Sequence, residues 1–299
     1  MSELLLRRRN LLLRKQEEMN IRAVCFEADG EQTVELVKHN YTSSKVFQYS
    51  YDGVTWESWD LTPLPFGGPT KVYVRGYNKL LSYNNNSYEY FSFSTDAYVY
   101  VSGIVESLLD GDNEVLALGT QGILRQLFHH QTALRSAENL RFEAQTTAPD
   151  IVSVYALMFE GCTNLLYAPK VLPANDFKGA YNYQYMFRDC KSLITAPELP
   201  ATTLADACYL NMFRNCSSLV NAPELPATTL SAQCYQNMFY GCTSLKTIRC
   251  RAKTTASSAT TYWLYGISSS GTFYGHSEYG WSYGVSGIPS GWEFVELTD

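Results

Sequence analysis

The 299-residue sequence contains no C-x-x-C pair, no H-E-x-x-H, no glycine-rich phosphate loop and no G-x-S-x-G elbow. Those absences remove the usual signatures of a zinc centre, a bound nucleotide and an activated serine. Histidine is scarce, at four residues. Two of them, His129 and His130, are adjacent, so a regular backbone would turn them apart. They fall in a slot whose occupant varies along the chain, and are expected to be exposed, with no metal role. Apolar runs are short. None approaches the roughly 18 residues of a bilayer span, and the leading leucines are interrupted by Arg7, Arg8 and Arg9 before they form the core of a signal peptide. The expectation is a protein without membrane insertion, made and kept in a cytoplasm until lysis. Charge is thin as well: Asp, Glu, Lys and Arg make up 17% of the residues, against 23 tyrosines. The surface must therefore rely on hydroxyls, amides and rings.

What charge there is, is unevenly placed. Residues 1–22 carry +3, while the whole chain carries -6, which leaves -9 for the remainder. An acidic body disfavours nucleic acid as a partner. Within the basic segment Leu5, Leu12 and Met19 recur every seven residues beside Leu4 and Leu11, with Arg7 and Arg14 on another face. This spacing predicts a helix whose apolar stripe its own length cannot bury. It is either a docking arm or a frayed tail, and two heptads are too few to define a coiled coil.

From 23 to 104 the pattern changes to short runs such as "RAVCFEA", "QTVELVK", "KVFQYSY" and "TKVYVRGY". Seven such runs predict an immunoglobulin-like β-sandwich. Asp52-Gly53 marks a tight hairpin, and the proline-rich "LTPLPFGGPT" a connection between the two sheets.

From 105 to 299 the chain repeats itself. "LMFEGCTNL", "YMFRDCKSL", "NMFRNCSSL" and "NMFYGCTSL" place Phe159, Phe187, Phe213 and Phe239 at intervals of 28, 26 and 26 residues. "QLFHHQTAL" has the same frame around Phe128 and Leu134 and reads as a degenerate first unit. Four matched copies predict a solenoid, because one copy cannot bury its apolar face alone. Its core residues are Phe159, Cys162, Phe187, Cys190, Phe213, Cys216, Phe239 and Cys242. Leu204, Cys208, Met212 and Cys216 recur every four residues, which predicts a short helix in each unit, capped by Thr203 with Asp206 three residues on. Pro223 and Pro226 allow a short extended segment after it. From about 252 the repeat lapses into a cap.

The cysteines follow the repeat, which favours reduced, buried thiols. Two helical turns separate Cys208 from Cys216 by about 12 Å, beyond disulfide reach; cross-repeat disulfides in an oxidising medium remain an alternative. "LLDGDNEV" offers Asp110, Asp112 and Glu114, but such a run is more often a polar turn than a carboxylate pair or a calcium loop. Glu198 and Glu224 repeat with "APELP" and so belong to the unit. The aromatics of the last forty residues, Tyr262, Trp263 and Tyr265 among them, either build the cap or expose a stacking surface. Tyr274, Tyr279, Trp281 and Tyr283 are the candidates for that surface.

With its Phe, its Cys three residues on and its Leu three further, the repeat resembles the BspA-type leucine-rich repeats. The variant with "APELPATTL" between units is similar to surface proteins encoded by gut bacteria and by their phages and prophages. "YSYDGVTW" is similar to the sandwich that commonly precedes such repeats, and "MSELLLRRRNLLLRK" resembles the start of virion-associated proteins of such phages. The implied fold class is multidomain and β-rich. A helical arm over 1–22 leads into the immunoglobulin-like sandwich over 23–104, and a leucine-rich-repeat solenoid of short helices and strands covers 105–299. The implied function is a non-enzymatic, cofactor-free virion surface protein, a head or tail fibre or decoration assembled in the host cytoplasm. Leu4, Leu5, Arg7, Arg8, Arg9, Leu11, Leu12 and Arg14 would dock it to capsid or tail proteins, the solenoid would meet a host surface protein or glycan, and a homo-oligomer, such as a trimer, would suit a fibre. A bacterial cell-surface adhesin and a glycan-degrading enzyme using Asp110 and Asp112 are the rival readings.

Overall fold

The computed structural model of the chain describes residues 21–39, 46–78, 82–84, 87–110, 124–143, 152–173, 179–255 and 258–298. The docking residues Leu4 to Arg14 lie outside the described residues, as do Asp112 and Glu114.

Nine strands occupy the N-terminal third of the described residues. They are β1 (Val24–Ala28), β2 (Gln32–His39), β3 (Phe47–Ser50), β4 (Glu57–Trp59), β5 (Leu64–Phe66), β6 (Val72–Gly76), β7 (Ser82–Asn84), β8 (Ser87–Phe93) and β9 (Val99–Ile104). One sheet runs β9-β1-β6-β3-β4 and a second β5-β2-β8-β7. In β2, Val34 and Leu36 are buried while Thr33, Glu35 and Val37 are half-exposed, the period-two alternation of a strand with one face on the core. Aromatic rings join the sheets: Phe26 of β1 lies 4.9 Å from Phe91 of β8 and 6.2 Å from Phe66 of β5. The proline-rich segment crosses from the sheet of β4 to the other sheet, as expected, and contributes the three-residue β5 there. Pro65 sits in β5, where an edge position tolerates its missing N–H. The turn at Asp52-Gly53 is wider than a two-residue hairpin, since the last paired residues are Tyr49 and Glu57. Asp52 Oδ1 accepts the amides of Val54 and Thr55 at 2.8 and 2.7 Å and holds the loop together.

The sheet then passes into the repeats without a break. β10 (Leu134–Arg141), the extended part of the first coil, pairs in parallel with β9. A single apolar core runs from Val24 through Phe91 and Phe128 to Trp292. Glu106 is buried at this junction. Its Oε1 accepts the Tyr155 hydroxyl at 2.8 Å and its Oε2 the Glu143 amide at 3.0 Å, while the Glu143 side chain pairs with Arg22. Burial outweighs those two hydrogen bonds and pushes the Glu106 carboxyl up to about 7.

The expected fold class needs correction in the repeats, where helices do not form. Among the described residues the helical elements are the four-residue Ser107–Asp110 and the 3₁₀ turn Ser277–Tyr279. Each repeat is instead a run of linked β-turns in which every fourth residue is left-handed. Ala207, Asn211 and Asn215 have φ of 52°, 56° and 62°, and Gln233, Asn237 and Gly241 have 56°, 53° and 74°. The amides of Cys208, Leu210, Met212, Arg214 and Cys216 donate to carbonyls three residues back, closing the turns. The intervening amides of Ala207, Tyr209, Asn211, Phe213 and Asn215 donate to carbonyls of the next coil. An α-helix would commit these amides to carbonyls four residues back. Here the intervening ones tie coil to coil. Thr203 and Asp206 accordingly cap nothing, and Asp206 Oδ1 accepts the Ala232 amide of the following coil at 3.1 Å.

Short parallel strands line the other side of the later coils. β11 (Asn221–Leu225), β13 (Thr247–Cys250), β15 (Thr272–Gly275) and β16 (Glu293–Glu296) follow one another in a sheet, and β12 (Thr229–Leu230) pairs with β14 (Thr254–Thr255). β16 forms the outer edge with Glu293 and Glu296 exposed, charges that discourage further strand addition. The last turn ribbon is covered by a returning segment. The Tyr262 amide donates to Ser286 Oγ at 3.3 Å and the Trp263 indole N–H to the Gly287 carbonyl at 3.0 Å.

Candidate ligand-binding face

The coils carry two inner aromatic columns. Phe91, Phe128, Phe159, Phe187, Phe213 and Phe239 stack with centroids 5.3–5.7 Å apart, and the three later pairs lie within 3° of parallel. Beside them run Tyr155, Tyr183, Tyr209, Tyr235, Trp263 and Trp281, at 5.6–6.1 Å. Phe159, Phe187, Phe213 and Phe239 are fully buried.

The repeated cysteine belongs to the same spine. The Sγ of Cys162, Cys190, Cys216 and Cys242 donates to the carbonyl of Phe128, Phe159, Phe187 and Phe213, each in the preceding coil, at 2.9–3.1 Å. A thiol fits between coils and supplies a weak donor without the desolvation demand of a hydroxyl. All eight cysteines are buried. Burial pushes Cys162, Cys234, Cys242 and Cys250 up to about 12, and Cys190, Cys208 and Cys216 well above the ordinary thiol range. A thiol-reactive dye should therefore label no cysteine in the native protein at pH 8 and all eight after denaturation. Rapid labelling of the native form would contradict the buried spine.

The coil-to-coil hydrogen bonds place Glu160, Arg188, Arg214, Tyr240 and Tyr265 in one row, in which Glu160 is buried, Arg188, Arg214 and Tyr240 are half-exposed and Tyr265 is exposed. Arg188 pairs with Glu160 and lies over the Tyr185 ring at 4.6 Å. Arg214 covers Tyr240 at 4.6 Å, and Tyr240 stacks on Tyr265 at 5.0 Å. Tyr262 meets Tyr265 edge-on at 6.1 Å and 84°, forming a corner of two rings that are 49% and 46% exposed. Guanidinium planes and phenol faces held on a rigid scaffold offer contact area with little ordering cost.

The aromatics expected to form the adhesive surface are divided. Trp281 stacks on Trp263 and meets Phe273 edge-on, so it belongs to the cap. Tyr274 is half-buried under Arg249, and Tyr279 neighbours His276. Tyr283 is 59% exposed. The row from Arg188 to Tyr265 was not singled out from sequence as a site. The signal for it is that the slot after each phenylalanine varies while its neighbours do not. His129 occupies that slot in the first coil yet is half-buried, because Tyr88 and Tyr90 of β8 pack edge-on against its ring at 4.9 and 4.8 Å.

Asp110 ends the short helix, and Glu224 is exposed and paired with Arg251 at 2.6 Å. No group of three or more His, Cys, Asp or Glu among the described residues is placed to hold a metal. No helix among them is long and apolar enough to cross a membrane. No protein-family model, no curated protein and no solved structure matches this chain.

Proposed function

We propose that the chain is a non-catalytic surface-binding protein that uses the outer row of its stacked coils to hold a partner. More particularly, it is a virion surface component, a head or tail fibre or decoration, that meets a host surface protein or glycan. The observation that carries the binding reading is the row Arg188, Arg214, Tyr240 and Tyr265, ending in the Tyr262 corner. Its side chains are outward and preorganised, while the residues behind them are committed to the spine. Preorganised aromatic and guanidinium groups lose little freedom on binding and therefore favour recognition. The virion assignment rests on the resemblance of the repeats and of the leucine- and arginine-rich start to proteins of gut phages. In this reading residues 1–22 dock on capsid or tail proteins, and several copies assemble as a homo-oligomer.

Mass spectrometry of purified phage particles should detect the full chain and not a version lacking residues 1–20. Normal incorporation of the truncated form would remove the docking arm from the proposal. In a cell-adhesion assay the double substitution Tyr262→Ala, Tyr265→Ala should reduce binding at least about tenfold, the loss expected for two exposed aromatic contacts, with the melting temperature kept within a few degrees. Undiminished adhesion would mean the row is not the contact surface.

A further inference from the structure

A second feature lies between the sandwich and the first coil, away from the aromatic row. Two main-chain hydrogen bonds clamp these parts together: Phe91 N to Leu127 O at 2.9 Å and Val99 N to Ala133 O at 2.9 Å. Between the clamps the segments 92–98 and 128–132 separate, leaving an open cleft of about 430 Å³. Its walls include the aromatic residues Tyr90 and Phe93 and the polar residues Ser92, Asp96, His130 and Thr132. Ser94 and Thr95 also line it but are already committed, Ser94 to Gln32 and Thr95 to the Glu31 carbonyl.

We propose that this cleft binds a neutral pyranose sugar. The volume falls within the range of small-molecule sites, about 300 to 1,000 Å³. One carboxylate that only accepts, two hydroxyls that accept and donate, and an imidazole form a set suited to vicinal sugar hydroxyls, which do both. The Tyr90 ring suits the C–H face of a pyranose, whereas the Phe93 ring is turned into the core against Phe26 and Phe66. A phosphate or carboxylate ligand is disfavoured because the lining holds a carboxylate, Asp96, and neither lysine nor arginine. An apolar ligand would strand these polar groups without partners. His129, which also lines the cleft, is pushed down to about 4 by burial, then by His130 and His39. It is therefore neutral near pH 7 and adds no cationic charge to draw an anion.

The proposal stands independently of the aromatic row, and the test reads the cleft directly. The full chain is titrated with the methyl glycosides of glucose, galactose, mannose and N-acetylglucosamine while the imidazole C–H NMR signals of its four histidines are followed. Saturable shifts of the His129 and His130 signals are expected with at least one glycoside, with His276 unmoved. Asp96→Ala should weaken that binding at least about tenfold by removing a charge-assisted hydrogen bond, at an unchanged melting temperature, because Asp96 is exposed. Thr132→Val should weaken it less. The proposal is overturned if no glycoside moves His129 and His130, if Asp96→Ala leaves the affinity as it was, or if glycerol at equal concentration produces the same saturable shifts.

Discussion

Replacing Phe213 with alanine is expected to lower the unfolding free energy by about 3–5 kcal/mol, as large-to-small changes in packed cores do. The ring is fully buried and stacked on Phe187 at 5.5 Å and on Phe239 at 5.6 Å. Removing it leaves a void that neighbouring coils cannot close. Their separation is fixed by main-chain hydrogen bonds such as Phe213 N to Met238 O, at 2.9 Å, and a collapse would stretch or break them. The measurement is denaturant unfolding followed by tryptophan fluorescence, with Tyr265→Ala as the comparison. Tyr265 is outward and about half exposed, so its loss should cost under about 1 kcal/mol. Equal effects at the two sites would deny the distinction between spine and surface.

The second large effect is a dependence of stability on pH that originates at Glu106. Its carboxyl is fully buried and pushed from the ordinary 4.5 up to about 7. A carboxyl raised in the folded state binds its proton more tightly folded than unfolded. The associated stability is complete below about 4.5 and is lost as the pH rises through about 7. The shift corresponds to about 3 kcal/mol. Among the groups around it, Tyr155 and the Glu143 amide donate to it and favour the charged form; the Glu143 carboxylate, paired with Arg22, opposes it. Glu106→Gln copies the protonated acid: its oxygen accepts the Glu143 amide and its NH₂ donates to the Tyr155 hydroxyl. The variant should match the parent at pH 5 and be more stable by about 2–3 kcal/mol at pH 8. Thermal melts at the two pH values check this, and parallel pH profiles for parent and variant would refute it.

Several elements could be read from the sequence because their signal is local. The period of 26 places Phe187, Phe213 and Phe239 in one column, and the frame shared by "QLFHHQTAL" extends that column to Phe128, whose ring stacks on Phe159 at 5.4 Å and 11°. Other features were misread for identifiable reasons. The four-residue recurrence of Leu204, Cys208, Met212 and Cys216 imitates the period of the α-helix. The contrary signal lay in Asn211, Asn215, Asn237 and Gly241, residue types that tolerate the left-handed backbone and that also recur at four. Trp281 looks from sequence like the other candidate adhesive aromatics of the tail, yet it continues the buried Tyr155 column. Composition cannot tell an outward ring from a stacked one.

Sequence alone determined that copies of one unit would stack, because a strip carrying Phe, Cys and Leu at fixed intervals has no other way to leave water. Tertiary structure decided the rest. The turn ribbon forms because half of its amides find partners only in the next coil, so no single unit reveals its own conformation. The junction with the sandwich, with Glu106 and the cleft by His129, is made by residues far apart in the chain, and only their meeting sets the burial that gives them their chemistry.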